Sequence, residues 1–373
     1  MTDRFPHKGI SNRKEAHIDI CCQQTEKILM KRSNGFEDIE FVHNAFPEIN
    51  FAEISLKTTF LGHTFNYPVF ISSITGGMEK GLKINKLLAQ VAEDFGIGLG
   101  AGSQRIALED ESKQESFTIL RATAPHAFIA ANLGIVQFNK GYGIKEAKRA
   151  IEMLEADALI LHTNPLQEAI QPEGDLEFKG LLQKIKGLTK AVDKPIIIKE
   201  VGAGISFEVA KKLIASNVAA IEVAGAGGTS WAAIEGLRAA QRHELLKQET
   251  GAHFRNWGIP TAISTIEVLS ATQGQCEIIS SGGIRTGIEA AKALALGAKL
   301  VGVALPVACL AATKTEKELK AWLNQFIYEL KVTMFILGAK NLEALKTAPI
   351  LITGKTKDWL LTRGIDLPKQ VQI

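Results

Sequence analysis

Cysteine is scarce in this chain, and its few cysteines lack the spacing of a metal site. Cys21 and Cys22 are adjacent, whereas Cys276 and Cys309 flank apolar runs far along the sequence. Structural zinc sites instead place cysteines and histidines in closely spaced pairs. We therefore expect reduced thiols, as is usual in a cytoplasmic protein.

An excess of charge of one sign is also missing. The chain has 43 basic and 40 acidic residues, a net charge of +3, and no long basic block. Proteins that bind nucleic acid concentrate lysine and arginine on one face to neutralise phosphates. The composition therefore argues against a nucleic-acid partner.

Long hydrophobic runs are absent as well. No apolar run in the sequence reaches the roughly 18 residues needed to cross a bilayer. The first residues, MTDRFPHKG, are polar and do not resemble a secretory signal. We expect a cytoplasmic protein without a membrane partner, and its 46% apolar content is ample for a large core.

What the sequence does contain is a repeated pattern of short apolar runs, each followed by a polar or glycine-rich tip. Amphipathic stretches of helical period separate most of these runs, and Thr286 and Thr315 each begin a capping box with a glutamate three residues on. Eight such runs occur, at 69–72, 97–101, 127–131, 158–161, 195–199, 220–224, 276–280 and 300–304.

This alternation predicts an α/β fold, a (β/α)8 TIM barrel, as a single domain spanning residues 1–373. Residues 1–65 lack the repeat and are predicted to form an N-terminal extension. The barrel core is predicted over 66–312, and a mostly helical C-terminal segment over 313–373. A doubly wound sheet is the alternative, but it usually has fewer units and one dominant glycine fingerprint.

Because barrel enzymes build their active sites from the carboxyl ends of the strands, the tips predict where the chemistry lies. The most polar tip runs from His162 to Asp175, where burial would cost several kcal/mol unless a ligand or neighbour supplied hydrogen bonds. The glycine-rich segment before Arg285 fits a phosphate site, in which backbone N–H groups and the following helix N-terminus face the anion. Glycines of a simple tight turn are the alternative.

Lysine and arginine residues at other positions suggest further binding groups. Lys199 ends a strand and could form a Schiff base, neutralise a reduced flavin, or simply pair with Glu200 or another carboxylate. Arg13 and His17 would share one helix face, either as a solvated surface or, together with Arg105, as a second anion site.

Taken together, these segments resemble the type 2 isopentenyl diphosphate isomerases, a flavin-dependent family, over essentially the whole chain. Ser-Gly-Gly-Ile-Arg is shared with many flavin barrels, whereas the Asn-Pro-Leu-Gln-Glu segment combined with the N-terminal Arg-Lys is specific. One departure is Ile74, where the family usually has methionine. The matching segments are Arg13-Lys14 with His17, Thr75-Gly76-Gly77, Gly102 to Arg105, Ala131 to Gly134, His162 to Glu168, Lys199 to Gly202, Ala224 to Trp231, Trp257 to Thr261 and Ser281 to Arg285.

The resemblance implies the cofactors FMN and Mg²⁺, with NADPH as the reductant of the flavin, a small diphosphate substrate, and a homo-oligomer of four or more subunits. It implies catalytic roles for Gln167, His162 and Lys199, and Mg²⁺ on Glu168. The implied FMN contacts are Ser73, Ile74, Thr75, Gly76, Ser103, Asn132, Lys199, Thr229, Gly282, Gly283, Arg285, Ala304 and Leu305. The implied substrate contacts are Arg13, Lys14, Ser103, Gln104, Arg105, His162, Asn164 and Gln167.

The implied activity is the conversion of isopentenyl to dimethylallyl diphosphate, a proton shift with no net redox change. The resemblance implies that reduced FMN carries the proton, with Gln167 nearby. An FMN-dependent 2-hydroxy acid oxidoreductase is the alternative, in which His162 would be the base. A flavin- or phosphate-binding regulatory barrel without turnover is a third possibility.

Overall fold

The computed structural model describes residues 8–365 and 371–372, and its centre is a closed barrel of eight parallel strands. Each of the eight predicted apolar runs forms one strand, so the predicted TIM barrel is confirmed. In chain order the strands are β1 (Val69–Ile71), β2 (Gly98–Gly100), β3 (Ile129–Gly134), β4 (Ala158–His162), β5 (Ile196–Lys199), β6 (Ala220–Glu222), β7 (Glu277–Ser281) and β8 (Leu300–Val303).

The strands are short and almost wholly buried, as expected for a parallel sheet covered on both faces. β8 closes the barrel by pairing with β1, with Val301 opposite Val69 and Val303 opposite Ile71. β4 pairs on either side with β3 and β5. In the barrel order β4 therefore lies opposite β8, and the two tips face each other across the barrel mouth.

The amino-terminal end of the barrel is filled by aromatic rings. A hairpin of Thr58–Phe60 and His63–Phe65 brings Phe60 and Phe65 against Phe128, at ring-centroid distances of 5.7 Å and 5.6 Å. These rings pack with Phe70 and aliphatic side chains of several strands into a separate buried cluster. Because this half of the interior is filled, the open space lies at the carboxyl end.

Helices surround the barrel, and their ends agree with the local signals in the sequence. Thr286 and Thr315 cap their helices as predicted, each accepting a hydrogen bond from a glutamate N–H three residues on. The helices are Lys8–Gln23, Thr25–Ile28, Glu79–Phe95, Arg105–Glu109, Glu115–Thr123, Ile144–Leu154, Pro165–Ile170, Leu181–Ala191, Phe207–Ile214, Trp231–Gln241, Leu245–His253, Thr261–Thr272, Gly287–Leu296, Leu305–Thr313, Glu316–Ile336, Leu342–Leu345 and Gly354–Thr362. Short 3-10 turns occur at Phe36–Asp38, Phe51–Glu53, Glu111–Lys113, Ile135–Asn139 and Phe254–Asn256.

The C-terminal segment differs from the prediction because it also contributes strands. Ile350–Ile352 pairs antiparallel with Ile39–Phe41 and parallel with Val371–Gln372, forming a small sheet outside the barrel. Such short strands leave no local signal in the sequence, because Ile350–Ile352 and its partner Ile39–Phe41 lie near opposite ends of the chain. The outermost parts of the predicted extension and C-terminal segment, residues 1–7, 366–370 and 373, lie outside the described residues.

The N-terminal helix (Lys8–Gln23) lies across the carboxyl end of the barrel. It packs against Leu305–Thr313, which follows β8, and against Trp231–Gln241, which follows β6. This placement brings residues of the extension to the mouth of the barrel. Among the described helices, none is both long and apolar enough to span a bilayer.

Candidate functional site

A cavity occupies the carboxyl end of the barrel, and residues from the strand tips and the N-terminal helix line it. Nearly all the residues singled out in the sequence lie in its wall. Those lining it are Arg13, Lys14, Ser73, Ile74, Thr75, Ser103, Arg105, Asn132, His162, Asn164, Gln167, Glu168, Lys199, Thr229, Gly282, Gly283, Arg285, Ala304 and Leu305.

Two of the expected site residues, Gln104 and Gly76, do not line the cavity. The Gln104 side chain is completely buried behind the cavity wall, where Nε2 donates to Ala150 O and Oε1 accepts from Asn132 N, both at 2.9 Å. These bonds join the β2 tip to β3 and to the helix Ile144–Leu154, so the Gln104 side chain points away from the cavity. Gly76 is also outside the wall, and its carbonyl oxygen accepts a hydrogen bond from Lys14 Nζ.

His162 ends β4 with its protonation state set by its neighbours. Its Nδ1 lies 2.8 Å from Asn132 Oδ1, and Asn132 Nδ2 donates to Ala101 O, which fixes the orientation of the amide. Oδ1 therefore accepts, and His162 carries its proton on Nδ1. Burial, reinforced by Lys199, Lys14 and Arg13, lowers the pKa of His162 to about 3, so the ring is neutral with an unprotonated Nε2.

Asn164, Gln167 and Glu168 are held together on the short helix that follows β4. Pro165 at the first helical position presets the turn, and Asn164 Nδ2 donates to Gln167 Oε1 at 3.0 Å and to Glu168 Oε1 at 2.9 Å. The second carboxylate oxygen of Glu168 accepts from Asp175 N at 2.7 Å. Burial raises the pKa of Glu168, against the opposing effect of these hydrogen bonds.

Three cations approach this group from two different elements. Lys14 Nζ donates to Gly76 O at 2.8 Å and to Ser103 O at 2.7 Å, so it joins the N-terminal helix to the first two strand tips. Burial lowers the pKa of Lys14 to about 7, and the neighbouring Arg13 contributes to the shift.

The two arginines are each held by an acidic side chain. Arg13 Nη1 lies 3.7 Å from Glu173 Oε1, and Arg105 Nη1 lies 3.5 Å from Asp175 Oδ2. Both acids belong to the polar loop after β4. The cationic group of Arg13, Lys14 and Arg105 is thus partly neutralised, and an anionic ligand would compete with these carboxylates.

The opposite rim is built from glycines of the β6 and β7 tips. A Cβ at Gly282 would come within 2.2 Å of Gly225 O, and one at Gly283 within 2.3 Å of Gly227 O, so only glycine permits this approach. Arg285 follows directly and lines the cavity, where burial lowers the pKa of its guanidinium.

The helix after this tip does not supply the open N-terminus that the sequence analysis expected. Glu289 Oε2 accepts from the N–H groups of Arg285 and Thr286, and Glu329 Oε2 accepts from Gly287 N. Carboxylates therefore already accept from three N–H groups at this helix end. An anion on this rim would have to use the glycine backbone and the Arg285 side chain instead.

Lys199 ends β5 and is buried in the cavity wall. Its Nζ donates to Glu200 O at 2.7 Å and lies 3.6 Å from Glu222 Oε1 at the end of β6. Pairing with Glu200 or another carboxylate was one of the roles expected for Lys199. The structure shows the Glu200 backbone oxygen as acceptor and the Glu222 side chain as ionic partner.

Four buried side-chain oxygen atoms have no hydrogen-bond partner in the described part of the chain, and all belong to residues of this one cavity wall. Leaving such atoms unpaired costs roughly 1–3 kcal/mol each, which a polar ligand in the cavity would recover. They are Ser73 Oγ, Thr75 Oγ1, Asn164 Oδ1 and Glu222 Oε2.

Comparison with known proteins decides the family. The isopentenyl-diphosphate delta-isomerase of Methanothermobacter thermautotrophicus is 45% identical over 360 residues, covering 96% of this chain and 98% of the relative. That of Pyrococcus furiosus is 46% identical over 367 residues, covering 96% and 91%. The chain belongs to the isopentenyl-diphosphate delta-isomerase family. Residues 145–352 also match the broader FMN-dependent dehydrogenase family.

Solved structures share the fold of this isomerase-family chain. A chain described as a lactate oxidase from Pediococcus acidilactici superposes with a TM-score of 0.67 at 18% identity, covering 95% of this chain and 96% of the other. A mandelate oxidase superposes with a TM-score of 0.61 at 15% identity, covering 92% and 98%. At these identities the likeness shows the fold alone.

The isomerase-family site also contains a buried ionic network that the sequence analysis missed. Glu235 Oε1 accepts from Gln167 Nε2 and contacts His17 Nε2, both at 2.9 Å, and Glu235 Oε2 accepts from Arg238 at 2.5 Å. Burial opposes ionisation of Glu235, but His17, Arg238 and Gln167 outweigh it and lower its pKa to about 2. An acid–base pair three residues apart on an otherwise alanine-rich helix was the available signal.

Proposed function

We propose that this protein converts isopentenyl diphosphate to dimethylallyl diphosphate, with FMN and Mg²⁺ bound in the cavity described above. The observation that carries the proposal is the pairing of two anion-binding groups in one cavity. A glycine rim with Arg285 lies at β6 to β8, and the cationic group lies on the other side, with Gln167 beside it. The glycine rim with Arg285 suits a cofactor phosphate, and the cationic group suits a substrate diphosphate.

The residues present fit FMN. The unpartnered hydroxyls of Ser73 and Thr75 offer hydrogen bonds to a heteroaromatic ring edge, and Lys199 offers a positive charge. Gly282 and Gly283 line the cavity without side chains, so a phosphate could approach their backbone N–H groups closely. When bound in its reduced form, FMN supplies ring nitrogens that can take up and release protons. NADPH is proposed as the electron source that keeps it reduced.

The residues also fit a single magnesium ion that is shared with the substrate. Mg²⁺ commonly binds through one or two carboxylates, waters and substrate phosphates rather than a full protein cage. Within residues 8–365 and 371–372, no cluster of three or more potential ligands forms. Glu168 supplies one carboxylate on the side of the cavity that holds the cationic group. Arg13, Lys14 and Arg105 would neutralise the remaining charge of the diphosphate.

The chain's own residues would orient the alkene and keep water away. Gln167 has its amide fixed at both ends, because Nε2 donates to Glu235 and Oε1 accepts from Asn164. Trp231, which lines the cavity and packs edge-on to His17 at 5.1 Å, gives an apolar wall. Protonation of an unactivated alkene requires such a dry, fixed environment.

The rival oxidoreductase function needs a side-chain base, and His162 is a poor one. A pKa lowered to about 3 makes the ring a weak proton acceptor at neutral pH. Its partner Asn132 also provides no negative charge to stabilise an imidazolium. These features favour the isomerase proposal over hydroxy acid oxidation.

The two functions differ in how much reductant they consume. Purified protein with FMN, Mg²⁺, isopentenyl diphosphate and NADPH should give many equivalents of dimethylallyl diphosphate for each NADPH oxidised. Product is measured by nuclear magnetic resonance and NADPH by absorbance. One NADPH consumed for each product formed would contradict the proposal and favour a redox reaction.

We further propose a cytoplasmic homo-oligomer of four or more subunits. Exposed apolar side chains in one short stretch, Leu245, Leu246, Phe254 and Trp257, support association because monomers rarely expose such groups together. Light scattering should give a mass of at least four times the 40.4 kDa chain. A monomer at micromolar concentration would contradict this.

A further inference from the structure

Glu222 is a buried carboxylate at the end of β6 that the isomerase reaction described above does not use. Its side chain has no solvent exposure, yet it lines the ligand cavity. A charged group is rarely buried unless its position serves a purpose or its charge is compensated.

One oxygen of Glu222 is fully engaged, and the other is not. Oε1 accepts from Ser72 Oγ at 2.6 Å and from Ser281 Oγ at 2.9 Å, and it lies 3.6 Å from Lys199 Nζ. Oε2 is buried and has no partner within the described residues. Because the engaged oxygen already accepts two hydroxyl protons, Oε2 is the atom left to interact with a ligand.

The surrounding strands make room for this arrangement. A Cβ at Gly302 of β8 would lie 2.6 Å from Ser72 Oγ, 2.6 Å from Ser281 Cβ and 3.3 Å from Glu222 Oε1. Only glycine at this position lets the two serines and the carboxylate meet. Residues next to β1 and in β6, β7 and β8 thus build one site around Glu222, and Lys199 of β5 completes it.

We propose that Glu222 is a positioning residue for Lys199 and that its charge tunes the bound flavin. This inference rests on the proposed function, in which Lys199 faces the negative charge of reduced FMN. The carboxylate competes with the flavin for the lysine charge and adds a negative charge of its own. Both effects weaken the binding of reduced FMN relative to oxidised FMN.

The test compares Glu222→Gln with the wild-type holoenzyme. Glutamine has the same shape and can still accept from both serines, but it carries no charge. The dissociation constants of oxidised and reduced FMN are measured separately, and their ratio is checked against the flavin midpoint potential. The variant should favour reduced FMN by at least about tenfold, a positive shift of roughly 30 mV for a two-electron couple.

Two further variants test whether the change in the FMN affinity ratio comes from the charge at position 222. Glu222→Asp keeps the charge and should keep the wild-type ratio within about threefold, a tolerance below the tenfold effect. Glu152→Gln removes the same charge from an exposed position on the outer helix Ile144–Leu154 and should leave the ratio unchanged. An unchanged ratio in Glu222→Gln, with FMN still bound, would overturn this inference and leave the proposed function standing.

A measurement on the wild-type protein covers the case in which Glu222→Gln does not fold. Infrared difference spectra between oxidised and reduced holoenzyme, with and without ¹³C-glutamate labelling, should contain a glutamate carboxyl band that shifts with the label. A spectrum without any such band would also overturn the inference. A wild-type chain that binds neither form of FMN would contradict the proposed function together with it.

Discussion

Replacing Gln167 by leucine tests the catalytic centre most selectively, because its amide is held at both ends by buried partners. Nε2 donates to Glu235 Oε1 at 2.9 Å, and Oε1 accepts from Asn164 Nδ2 at 3.0 Å. Both partners keep other hydrogen bonds when the amide is removed. Glu235 retains His17 and Arg238, and Asn164 retains Glu168.

These remaining bonds limit the cost to stability, which we expect to stay below the sum of the two lost bonds, whereas no neighbouring side chain replaces the catalytic amide. A lost hydrogen bond to a charged group is worth roughly 1.5–3 kcal/mol and one to a neutral group about 1 kcal/mol. Burial of the leucine recovers part of this. A lost positioning or proton-transfer group lowers kcat by about 10²-fold, or roughly 2.7 kcal/mol on the barrier.

The assay is steady-state formation of dimethylallyl diphosphate with saturating reduced FMN and Mg²⁺. Gln167→Leu should lower kcat about 10²-fold while leaving FMN affinity and the Mg²⁺ requirement unchanged. Gln114→Leu is the matched control, because Gln114 also donates one side-chain hydrogen bond, to Ala107 O, but lies outside the cavity wall. A wild-type kcat in Gln167→Leu would refute the assignment.

Three further predictions follow from other parts of the cavity. Glu168→Gln should raise the Mg²⁺ concentration needed for half-maximal activity, and excess Mg²⁺ should restore part of the rate; loss of rate without any Mg²⁺ response would argue against a metal role. Arg285→Ala should weaken FMN binding by about 1–3 kcal/mol in a fluorescence titration, whereas an unchanged dissociation constant would remove the arginine from the phosphate site. Burial lowers the pKa of Lys14 to about 7, so its ammonium is present below that pH and lost above it, and KM for the diphosphate should rise as the pH passes upward through this value. A KM that stays flat between pH 6 and about 8.5 would show that Lys14 keeps its charge or does not bind the substrate.

The barrel and the part of the cavity wall that is built from strand tips could be predicted because both depend on local patterns. Each apolar run such as Ala158–Leu161 is followed by its own tip, and parallel strands of a closed barrel deliver every tip to the same end. Capping at Thr286 and Thr315 depends on residues only three positions apart. These features can therefore be predicted from residues that lie close together in the sequence.

The errors concern side-chain direction and long-range partners. Gln104 lies between two cavity residues, Ser103 and Arg105, yet its side chain points behind the wall to Ala150. The partners of Glu222 come from distant strands, and the acid Glu329 that occupies the Gly287 N–H comes from a later helix. Such contacts are set by packing of the whole chain rather than by spacing.

The central claim is that one cavity holds a flavin and an isoprenoid diphosphate together and isomerises the latter. Its most direct test is nuclear magnetic resonance of isopentenyl diphosphate mixed with the purified protein, reduced FMN and Mg²⁺ in D₂O. We expect dimethylallyl diphosphate that carries solvent deuterium and forms only while the flavin is reduced. Isopentenyl diphosphate that remains unchanged, under conditions where the protein binds FMN, would contradict it.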